Sequence, residues 1–266
     1  MKRVLTGKVI AITGASSGIG AATALALAAE RVTLVLAARR RDRLEAIAAE
    51  ARQLGSTVQV MTCDVGQRAE VEALVRNCVQ AYGRLDIMMA NAGYGLVGRV
   101  QDVSDEQFDD CVRVNVKGTL YVLQAAAGVM VKQGAGHILV TSSAVARRSL
   151  PLYGVYSMTK AAQLSLAEAL RVELMGTGVQ ISTVHPATTK TDFFKVATAR
   201  SGVTSSGHGG AQTAAQVAVK IVRLMKRPKP ELWPKPLSRL GLSFATMFPR
   251  MTDLAIARML NRWTEV

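Results

Sequence analysis

The sequence contains few cysteines, few histidines and few aromatic residues, and the first two shortages each exclude a class of site. Its three cysteines, Cys63, Cys78 and Cys111, form no CxxC pair. That spacing argues against a disulfide framework or a zinc finger and predicts buried, reduced thiols. The three histidines are scattered, without an HExxH motif or another ligand cluster, so we expect no metal site.

Long uncharged apolar runs are also missing. No segment approaches the roughly 20 consecutive apolar residues that cross a bilayer as a helix. The N-terminal residues superficially resemble a signal peptide, but Lys8 interrupts the apolar run, and glycines and serines follow it. A strand followed by a loop is the better interpretation, and we expect a cytoplasmic protein.

Positive charge, in contrast, is abundant and unevenly distributed. The formal net charge is +14, and residues 220–266 hold ten Lys and Arg against three Asp and Glu, which is half of the excess. We interpret 1–227 as one domain and 228–266 as a basic and apolar helical extension packed on or beside it. Three roles stay open for this extension: a pocket cap or subunit contact, a helix on a membrane surface, and nucleic-acid binding, which charge alone supports weakly.

The order of the apolar runs predicts the fold class. Short β-branched runs alternate with longer helical patterns, and the runs are continuous rather than alternating, which is typical of parallel strands buried on both faces. With 49% hydrophobic and 5% aromatic residues, we expect a large aliphatic core. The sequence predicts an α/β protein with a Rossmann-type, doubly wound parallel sheet and helices on both faces. Strands are expected at 8–14, 32–38, 57–65, 85–93, 136–143 and 179–186.

A glycine-rich turn, "TGASSGIG" at 13–20, follows the first predicted strand and opens the first helix. Glycines there permit a tight turn and a close approach of the backbone to a ligand. The helix N-terminus offers free N–H groups and a partial positive charge to a pyrophosphate. An ordinary glycine-rich turn is the alternative, which the position at the first strand-to-helix turn disfavours. The predicted cofactor-binding residues are Gly14, Ser16, Ser17, Gly18, Ile19 and Gly20.

The end of the second predicted strand indicates which dinucleotide is bound. The chain reads "AARRRDR" at 37–43, with Ala38 where an acidic residue would bind the ribose 2′-hydroxyl of NAD. Arg39 and Arg40 follow, and arginine can bind a 2′-phosphate with a pair of N–H donors. The sequence therefore predicts NADP(H) as the cofactor, with Arg39 as the main contact and Arg40 as support.

These motifs, with five further ones in the same order and spacing, resemble the short-chain dehydrogenase/reductase family over about residues 6–225. The further motifs are "ANAG" at 90–93, Asn115 in "VRVNVKG", "HILVTSS" ending at Ser143, "YSMTK" with Tyr156 and Lys160, and "HPATTKT" at 185–191. Two residues depart from the usual pattern, because Ala187 and Arg31 stand where the family usually has glycine. If Arg31 needs a positive φ, it costs about 1 kcal/mol relative to glycine.

The resemblance implies further roles at matching positions. Asp64 is expected to contact the adenine, with Val65 beside it, and the three residues after the fourth strand should form a wall of the cofactor site. The resemblance also assigns Asn115 to a helix irregularity and to a water-linked proton path to Lys160. The remaining implied cofactor contacts are Asn91, Ala92, Gly93, Pro186, Thr189 and Thr191.

The stretch "YGVYSMTK" at 153–160 contains two tyrosines and one lysine. A tyrosine with its ordinary pKa of about 10 needs a nearby cation to act as an acid or base at neutral pH. Residues four apart on a helix share a face, which pairs Tyr156 with Lys160 and Tyr153 with Ser157. Tyr156 is therefore the predicted acid/base, and Lys160 should lower its pKa and hold the nicotinamide ribose.

A serine completes the predicted catalytic set. Ser143 ends the fifth predicted strand, thirteen residues before Tyr156, and the carboxyl ends of parallel strands are where sites assemble. Its hydroxyl should hydrogen-bond the substrate oxygen, and the spacing favours it over Ser142. The predicted catalytic residues are Asn115, Ser143, Tyr156 and Lys160.

The sequence indicates the substrate pocket less specifically than it indicates the cofactor site. We expect an apolar pocket built from segments 94–100, 144–153 and 188–215, with Val145 and Tyr153 as substrate contacts. The Gly/Ser-rich stretch 201–213 is predicted to be a mobile lid, and His208 a solvated loop histidine. The predicted function is an NADP(H)-dependent oxidoreductase acting on a carbonyl or alcohol, as a homodimer or homotetramer. The alternative is a catalytically silent NADP(H)-binding regulator or membrane-peripheral protein, against which the complete set of Ser143, Tyr156 and Lys160 argues.

Overall fold

The computed structural model describes residues 3–203 and 211–264. Seven parallel strands form a central sheet in the order β3-β2-β1-β4-β5-β6-β9, and two short strands, β7 and β8, pair separately. His208 and the middle of the predicted lid lie outside the described residues. The strands are β1 (Val9–Thr13), β2 (Thr33–Ala38), β3 (Thr57–Thr62), β4 (Ile87–Ala90), β5 (Gly136–Thr141), β6 (Val179–Val184), β7 (Thr189–Lys190), β8 (Gln212–Thr213) and β9 (Glu231–Leu232).

Helices cover both faces of the sheet, which explains why β1 and β4 are buried along their whole length. A π-helical turn, Val112–Lys117, joins α4 and α5 into one continuous helix, and a short 3₁₀ turn, Ala144–Ala146, follows β5. The α-helices are α1 (Gly18–Ala28), α2 (Arg41–Gln53), α3 (Arg68–Tyr82), α4 (Asp105–Cys111), α5 (Gly118–Gln133), α6 (Gly154–Glu173), α7 (Phe193–Ser201), α8 (Ala214–Lys226), α9 (Pro236–Met247) and α10 (Pro249–Thr264).

Two apolar clusters form the core, one on each face of the sheet. On one face, α3, α5 and α6 pack on the strands, and on the other face α1, α2 and α8 do so. The doubly wound α/β prediction is confirmed. The predicted division after residue 227 does not coincide with an edge of the sheet, because β9 lies beyond it and pairs with β6.

The winding of the chain positions the site. The chain moves outward from β1 through β2 to β3 and then returns to β4 on the other side of β1. At such a reversal, the loops after adjacent strands diverge and leave a crevice at the carboxyl edge of the sheet. The segments after β1, β4 and β5 therefore meet beside this crevice.

Three further sequence expectations concern the cysteines, Arg31 and long apolar segments. The cysteines are buried and free, and burial raises the pKa of Cys63 and Cys78 to about 12. Arg31 has a φ of 55°, so a side chain occupies the left-handed conformation that glycine tolerates best. The helix 105–133 is long and apolar enough to cross a membrane, but half of its most apolar stretch is buried within the protein, as in a core helix.

Candidate active site

The glycine-rich turn after β1 is shaped by contacts that exclude a Cβ atom. Gly14 and Gly18 have φ values of 67° and 58°. A Cβ on Gly14 would lie 2.7 Å from the Cα of Ala92, and one on Gly20 would lie 2.4 Å from the carbonyl oxygen of Gly14. The N-cap of α1, Ser17, makes no side-chain capping bond. The first N–H groups of α1 are therefore not capped by a side chain, which fits a pyrophosphate at this helix end.

The loop after β4 is fastened to this turn. The Thr13 hydroxyl accepts hydrogen bonds from the backbone N–H of Asn91 at 3.0 Å and of Ala92 at 3.2 Å. The Asn91 amide donates to the carbonyl oxygens of Thr13 and Gly14 at 3.1 and 3.2 Å. Sequence reasoning included Thr13 in the motif without giving it a role. Its hydroxyl holds two walls of the predicted cofactor site in a fixed relation.

The two arginines after β2 are not equivalent. Arg39 is exposed, whereas Arg40 is half-buried and donates from one guanidinium nitrogen to the hydroxyls of Ser16 and Ser17 at 3.0 and 2.9 Å. The sequence ranked Arg39 first, but the structure brings Arg40 to the glycine-rich turn. An arginine between two serine hydroxyls provides a cluster of donors next to the position expected for the adenosine ribose.

The carboxylate of Asp64 has partners from two elements. It accepts from the Gly66 amide at 2.9 Å and from the Arg113 guanidinium at 3.0 Å. Partial burial alone would raise the pKa of Asp64, but these two donors outweigh it and hold the pKa below its usual value. The neighbouring Val65 is buried against α5, where a Cβ on Gly118 would lie 2.7 Å from its side chain.

The predicted catalytic side chains come together between β5 and α6. Tyr156 and Lys160 are both buried, and the lysine Nζ lies 5.7 Å from the centroid of the tyrosine ring. The Ser143 side chain hydrogen-bonds with the Tyr156 phenol. The ring of Tyr153 contacts the ring of Tyr156 edge-on, with centroids 6.5 Å apart. Tyr156, four residues before Lys160, is therefore close to both the serine and the cation.

Burial acts on both titratable groups of this cluster. It raises the pKa of the Tyr156 phenol, although hydrogen bonding with Ser143 opposes the rise. It lowers the pKa of Lys160 to about 8. The phenol is therefore protonated near neutral pH, and the lysine is still mainly charged there but close to its titration point.

A glutamine that the sequence did not single out connects Lys160 to Asn115. Lys160 Nζ donates to the Thr141 carbonyl and to Gln163 Oε1, both at 2.9 Å. Gln163 Nε2 donates to the backbone carbonyl of Asn115 at 2.7 Å and to the Thr119 hydroxyl at 2.6 Å. The resemblance implies a water between Lys160 and Asn115. In this chain, the Gln163 side chain spans that gap.

The helix irregularity implied for Asn115 is present as the π-helical turn. The Asn115 amide donates to the Tyr94 carbonyl at 2.9 Å and to the Thr159 hydroxyl at 3.0 Å, and it accepts from the Tyr94 N–H at 3.0 Å. π turns widen a helix locally and occur often at functional sites. Here the turn lets one side chain connect the loop after β4 with α6.

The segment after β6 lies over the site. Thr191 sits against the glycine-rich turn, where a Cβ on Gly18 would approach its side chain to 3.3 Å. The Phe193 ring packs edge-on against Tyr156, with centroids 5.2 Å apart, and leaves no room for a Cβ on Gly95. Sequence reasoning missed Phe193, for which the only signal was its place directly after the "HPATTKT" loop.

Two further residues of this segment have local structural partners. The Pro186 carbonyl accepts from the Ala144 N–H at 3.0 Å, and the Thr189 hydroxyl donates to the Ala187 carbonyl at 2.8 Å. His185, which the sequence grouped with scattered histidines, stacks on Trp233 at 4.5 Å. Its Nδ1 lies 3.3 Å from the Ser143 carbonyl, and burial lowers its pKa. These contacts position the chain on both sides of Ser143.

A cavity of about 220 Å³ opens among the segments predicted to bind substrate. It is lined by Val97, Gly98, Arg99, Asp102, Val103, Gln107, Leu152, Ser201 and Val203. The Val145 N–H donates to the Ser143 hydroxyl at 3.3 Å. Among the described residues, a larger cavity of about 460 Å³ lies between α1 and α8, far in sequence and structure from Tyr156. The smaller cavity is lined by residues of the predicted substrate segments, but Ser143, Tyr156 and Lys160 do not line it.

The sequence model of the family described as short chain dehydrogenase matches residues 8–201. This span contains the glycine-rich turn, Asn115, Ser143, Tyr156 and Lys160. The chain belongs to the short-chain dehydrogenase/reductase family. The geometry above is thus that of a short-chain dehydrogenase/reductase, and the protein is an oxidoreductase of that family.

Curated relatives support the assignment. The chain is 36% identical over 233 residues to the glycine betaine reductase ATRR of Emericella nidulans, an alignment that covers 86% of this chain and 18% of that protein. It is 37% identical over 183 residues to an uncharacterized oxidoreductase of Staphylococcus aureus, covering 69% of this chain and 78% of the relative. The chain therefore spans less than a fifth of the first relative and most of the second.

Solved structures of other proteins share this fold. A Burkholderia phymatum protein in complex with NAD superposes with a TM-score of 0.85 at 26% identity, covering 94% of this chain and 96% of the other. An alcohol dehydrogenase from Thermococcus sibiricus, complexed with 5-hydroxy-NADP, superposes with a TM-score of 0.75 at 34% identity, covering 85% and 95%. One neighbour thus holds NAD, and the other holds a derivative of NADP.

Proposed function

We propose that this short-chain dehydrogenase/reductase is an NADP(H)-dependent enzyme that interconverts a ketone or aldehyde and the corresponding alcohol on an apolar substrate. The observation that carries the proposal is the buried cluster of Ser143, Tyr156 and Lys160, which lies by a glycine-rich turn whose helix N-terminus has no side-chain cap. An ordinary tyrosine and lysine pair on a helix surface would be exposed to solvent rather than buried.

A nicotinamide bound in the crevice would supply or accept the hydride. During carbonyl reduction, Ser143 holds the substrate oxygen, and Tyr156 donates the proton that this oxygen needs. The charge of Lys160 stabilises the phenolate that remains. In the direction of alcohol oxidation, the same phenolate accepts the hydroxyl proton, so one set of side chains serves both directions.

Gln163 acts in this proposal as a positioning residue. The Lys160 Nζ is held by the Thr141 carbonyl and by the Gln163 side chain, and both are neutral acceptors. Neutral acceptors fix the direction of the ammonium group without cancelling its charge. That charge is then available to Tyr156, whereas a carboxylate in place of Gln163 would compete for it.

Specificity for NADP(H) rests on the donors after β2. Ala38 contributes no carboxylate that would repel a 2′-phosphate, and Arg40 lies with Ser16 and Ser17 at the edge of the glycine-rich turn. We expect Arg40 to be a stronger contact than Arg39, because only Arg40 is held at the turn. Titration of NADPH and NADH into wild type, Arg40→Ala and Arg39→Ala measures how much each arginine contributes to the affinity for each cofactor. Equal affinities of the wild type for NADPH and NADH would contradict NADP(H) preference.

The reaction class is tested by a substrate panel. Apolar ketones, aldehydes and secondary alcohols are incubated with NADPH or NADP⁺, and absorbance of the reduced nicotinamide reports turnover. The matched control is Tyr156→Phe, which removes one hydroxyl from the buried cluster. Tight NADPH binding without turnover of any compound would favour the catalytically silent alternative.

A further inference from the structure

The two C-terminal helices carry a row of apolar side chains that the rest of the protein does not cover. Within each helix these side chains recur every three or four residues, Phe248 lies between the two helices, and each side chain is between 43 and 80% exposed. No residue of α9 is fully buried. Isolated exposed apolar residues are common on protein surfaces, but a contiguous row of this length marks an interaction surface. The row consists of Leu237, Leu240, Phe244, Met247, Phe248, Met251 and Leu254.

The row faces away from the protein body. The half-buried residues of α9 are Ser238, Leu242 and Ala245, which lie on the opposite side of the helix from Leu240 and Phe244. In α10, Thr252 and Ile256 are the half-buried residues, and Met251 and Leu254 again point the other way. Such a pattern excludes the role of a pocket cap for the apolar face, because a cap would turn that face inward.

Positive charge borders the apolar row. Arg239, Arg250 and Arg258 lie on α9 and α10, whereas Asp253 is the only acidic residue of the two helices. Asp253 is engaged by Arg148, which follows the 3₁₀ turn after β5. Arg250 and Arg258 form no ion pair within the described part of the chain, and Arg239 lies 3.9 Å from Glu231.

The charge pattern distinguishes between two possible partners of the apolar row, a second copy of the chain and an anionic lipid surface. In a symmetric contact with a second copy, both surfaces would carry the same bordering arginines, and the one acidic residue of each copy is already paired with Arg148. Anionic lipid headgroups, in contrast, would neutralise the arginines while the apolar side chains enter the boundary of the acyl chains. The same arrangement is characteristic of helices that lie in the plane of a membrane surface.

We propose that α9 and α10 dock the protein onto an anionic phospholipid bilayer, with the row from Leu237 to Leu254 inserted at the interface. The proposal is independent of the proposed reaction, because it rests on the exposure and charge of these two helices alone. Binding is expected to require both apolar side chains and anionic lipid, and to weaken when salt screens the arginines.

Flotation of the full chain with vesicles tests the proposal. Phosphatidylcholine vesicles with and without phosphatidylglycerol are compared for wild type and for the double variant Leu240→Ser, Phe244→Ser. The variant is expected to lose about tenfold or more of its partitioning onto anionic vesicles, because two inserted side chains become polar. The matched control is Val172→Ser, Met175→Ser, which changes two equally exposed apolar residues at the end of α6 and should bind as wild type.

Two outcomes of the flotation experiment would overturn the proposal. One is that the wild type fails to float with anionic vesicles, and the other is that the α9 variant binds them as well as the wild type does. Sedimentation of each protein without lipid tests the remaining alternative, which is that the row forms a contact between subunits. If the wild type is an oligomer that the α9 variant dissociates, and vesicles bind neither, the row is a subunit contact rather than a membrane surface. Circular dichroism of both variants establishes that they retain the fold.

Discussion

The catalytic cluster and the C-terminal helices use side chains in opposite ways. Around Lys160, polar groups are buried and nearly every one has a hydrogen-bond partner within the protein. On α9 and α10, apolar side chains are exposed, and the described residues do not cover them. The first region thus has its partners inside the protein, whereas we propose that the partner of the second is a membrane surface.

The two regions should therefore tolerate different kinds of substitution. A buried polar group that loses its partner cannot turn to water, so the penalty appears inside the protein as lost geometry or lost stability. An exposed apolar group that is replaced by a polar one leaves the fold intact and affects only association. Substitutions in the cluster should therefore alter chemistry, and substitutions on α9 should alter location.

The largest expected effect concerns Tyr156. Tyr156→Phe should lower kcat by about a thousandfold or more, because the proton donor is removed. NADPH affinity should change little, since the ring and its packing against Phe193 remain. Steady-state kinetics with isothermal titration of NADPH checks both. Tyr153→Phe is the matched control, and a dead Tyr153→Phe with an active Tyr156→Phe would reverse the assignment of the two tyrosines.

Gln163 is the next target, with an expected effect of about tenfold on kcat. Gln163→Met retains the volume but removes the acceptor of the Lys160 ammonium and the donor to the Asn115 carbonyl, so the cation loses a fixed direction. The readout is the pH profile of kcat together with its magnitude, which a merely structural role would leave unshifted.

The conservative variant Gln163→Glu sharpens this test. It keeps an acceptor for Lys160 but adds a negative charge, which should raise the pKa of the lysine and move the basic limb of the profile upward. If Gln163→Met and Gln163→Glu both give the wild-type profile, Gln163 has no part in positioning Lys160.

Lys160 also makes stability depend on pH. Burial lowers its pKa to about 8 in the folded protein, whereas the unfolded chain keeps the proton up to a pKa of about 10.4. Between these values the unfolded state binds more protons, so the free energy of unfolding rises with pH. Relative to Lys160→Met, the wild type should gain about 2 kcal/mol between pH 8 and pH 10. Urea unfolding at both pH values measures the free energy of unfolding of each protein. An equal change in this free energy for the wild type and Lys160→Met would contradict the prediction.

The smallest expected effect lies far from both regions, at Arg31. Arg31→Gly should stabilise the protein by about 1 kcal/mol, because glycine adopts the observed φ of 55° without a Cβ clash. The melting temperature should rise by about 2–3 °C. Arg31→Ala is the control, since alanine keeps the Cβ and should give no such rise. Turnover should be unchanged in both variants.

Some parts of the site follow directly from sequence because their spacing is local. The pairing of Tyr156 with Lys160 depends only on the helical repeat, and the glycine-rich turn depends on residues that are adjacent in the chain. The alternation of strands and helices likewise predicts the doubly wound sheet, since apolar periodicity is a property of each element by itself. These parts needed no knowledge of distant contacts.

Other parts depend on contacts that the sequence does not display. Gln163 looks like an ordinary residue within a helix until α6 packs against the π turn and brings the Asn115 carbonyl within reach. Which of two adjacent arginines turns toward the glycine-rich turn depends on the backbone of Arg40 at the start of α2. The C-terminal segment reads as basic and apolar in sequence, but only its packing reveals that the apolar side faces outward.

The contact between α9 and the 3₁₀ turn Ala144–Ala146 has a consequence for regulation. This turn directly follows Ser143, so α9 contacts the segment of backbone that carries the serine. If a surface that binds α9 changes the affinity for substrate, thermodynamic reciprocity requires that substrate change the affinity for that surface by the same factor. The serine and the row of exposed side chains would then report on each other, although no residue is shared between them.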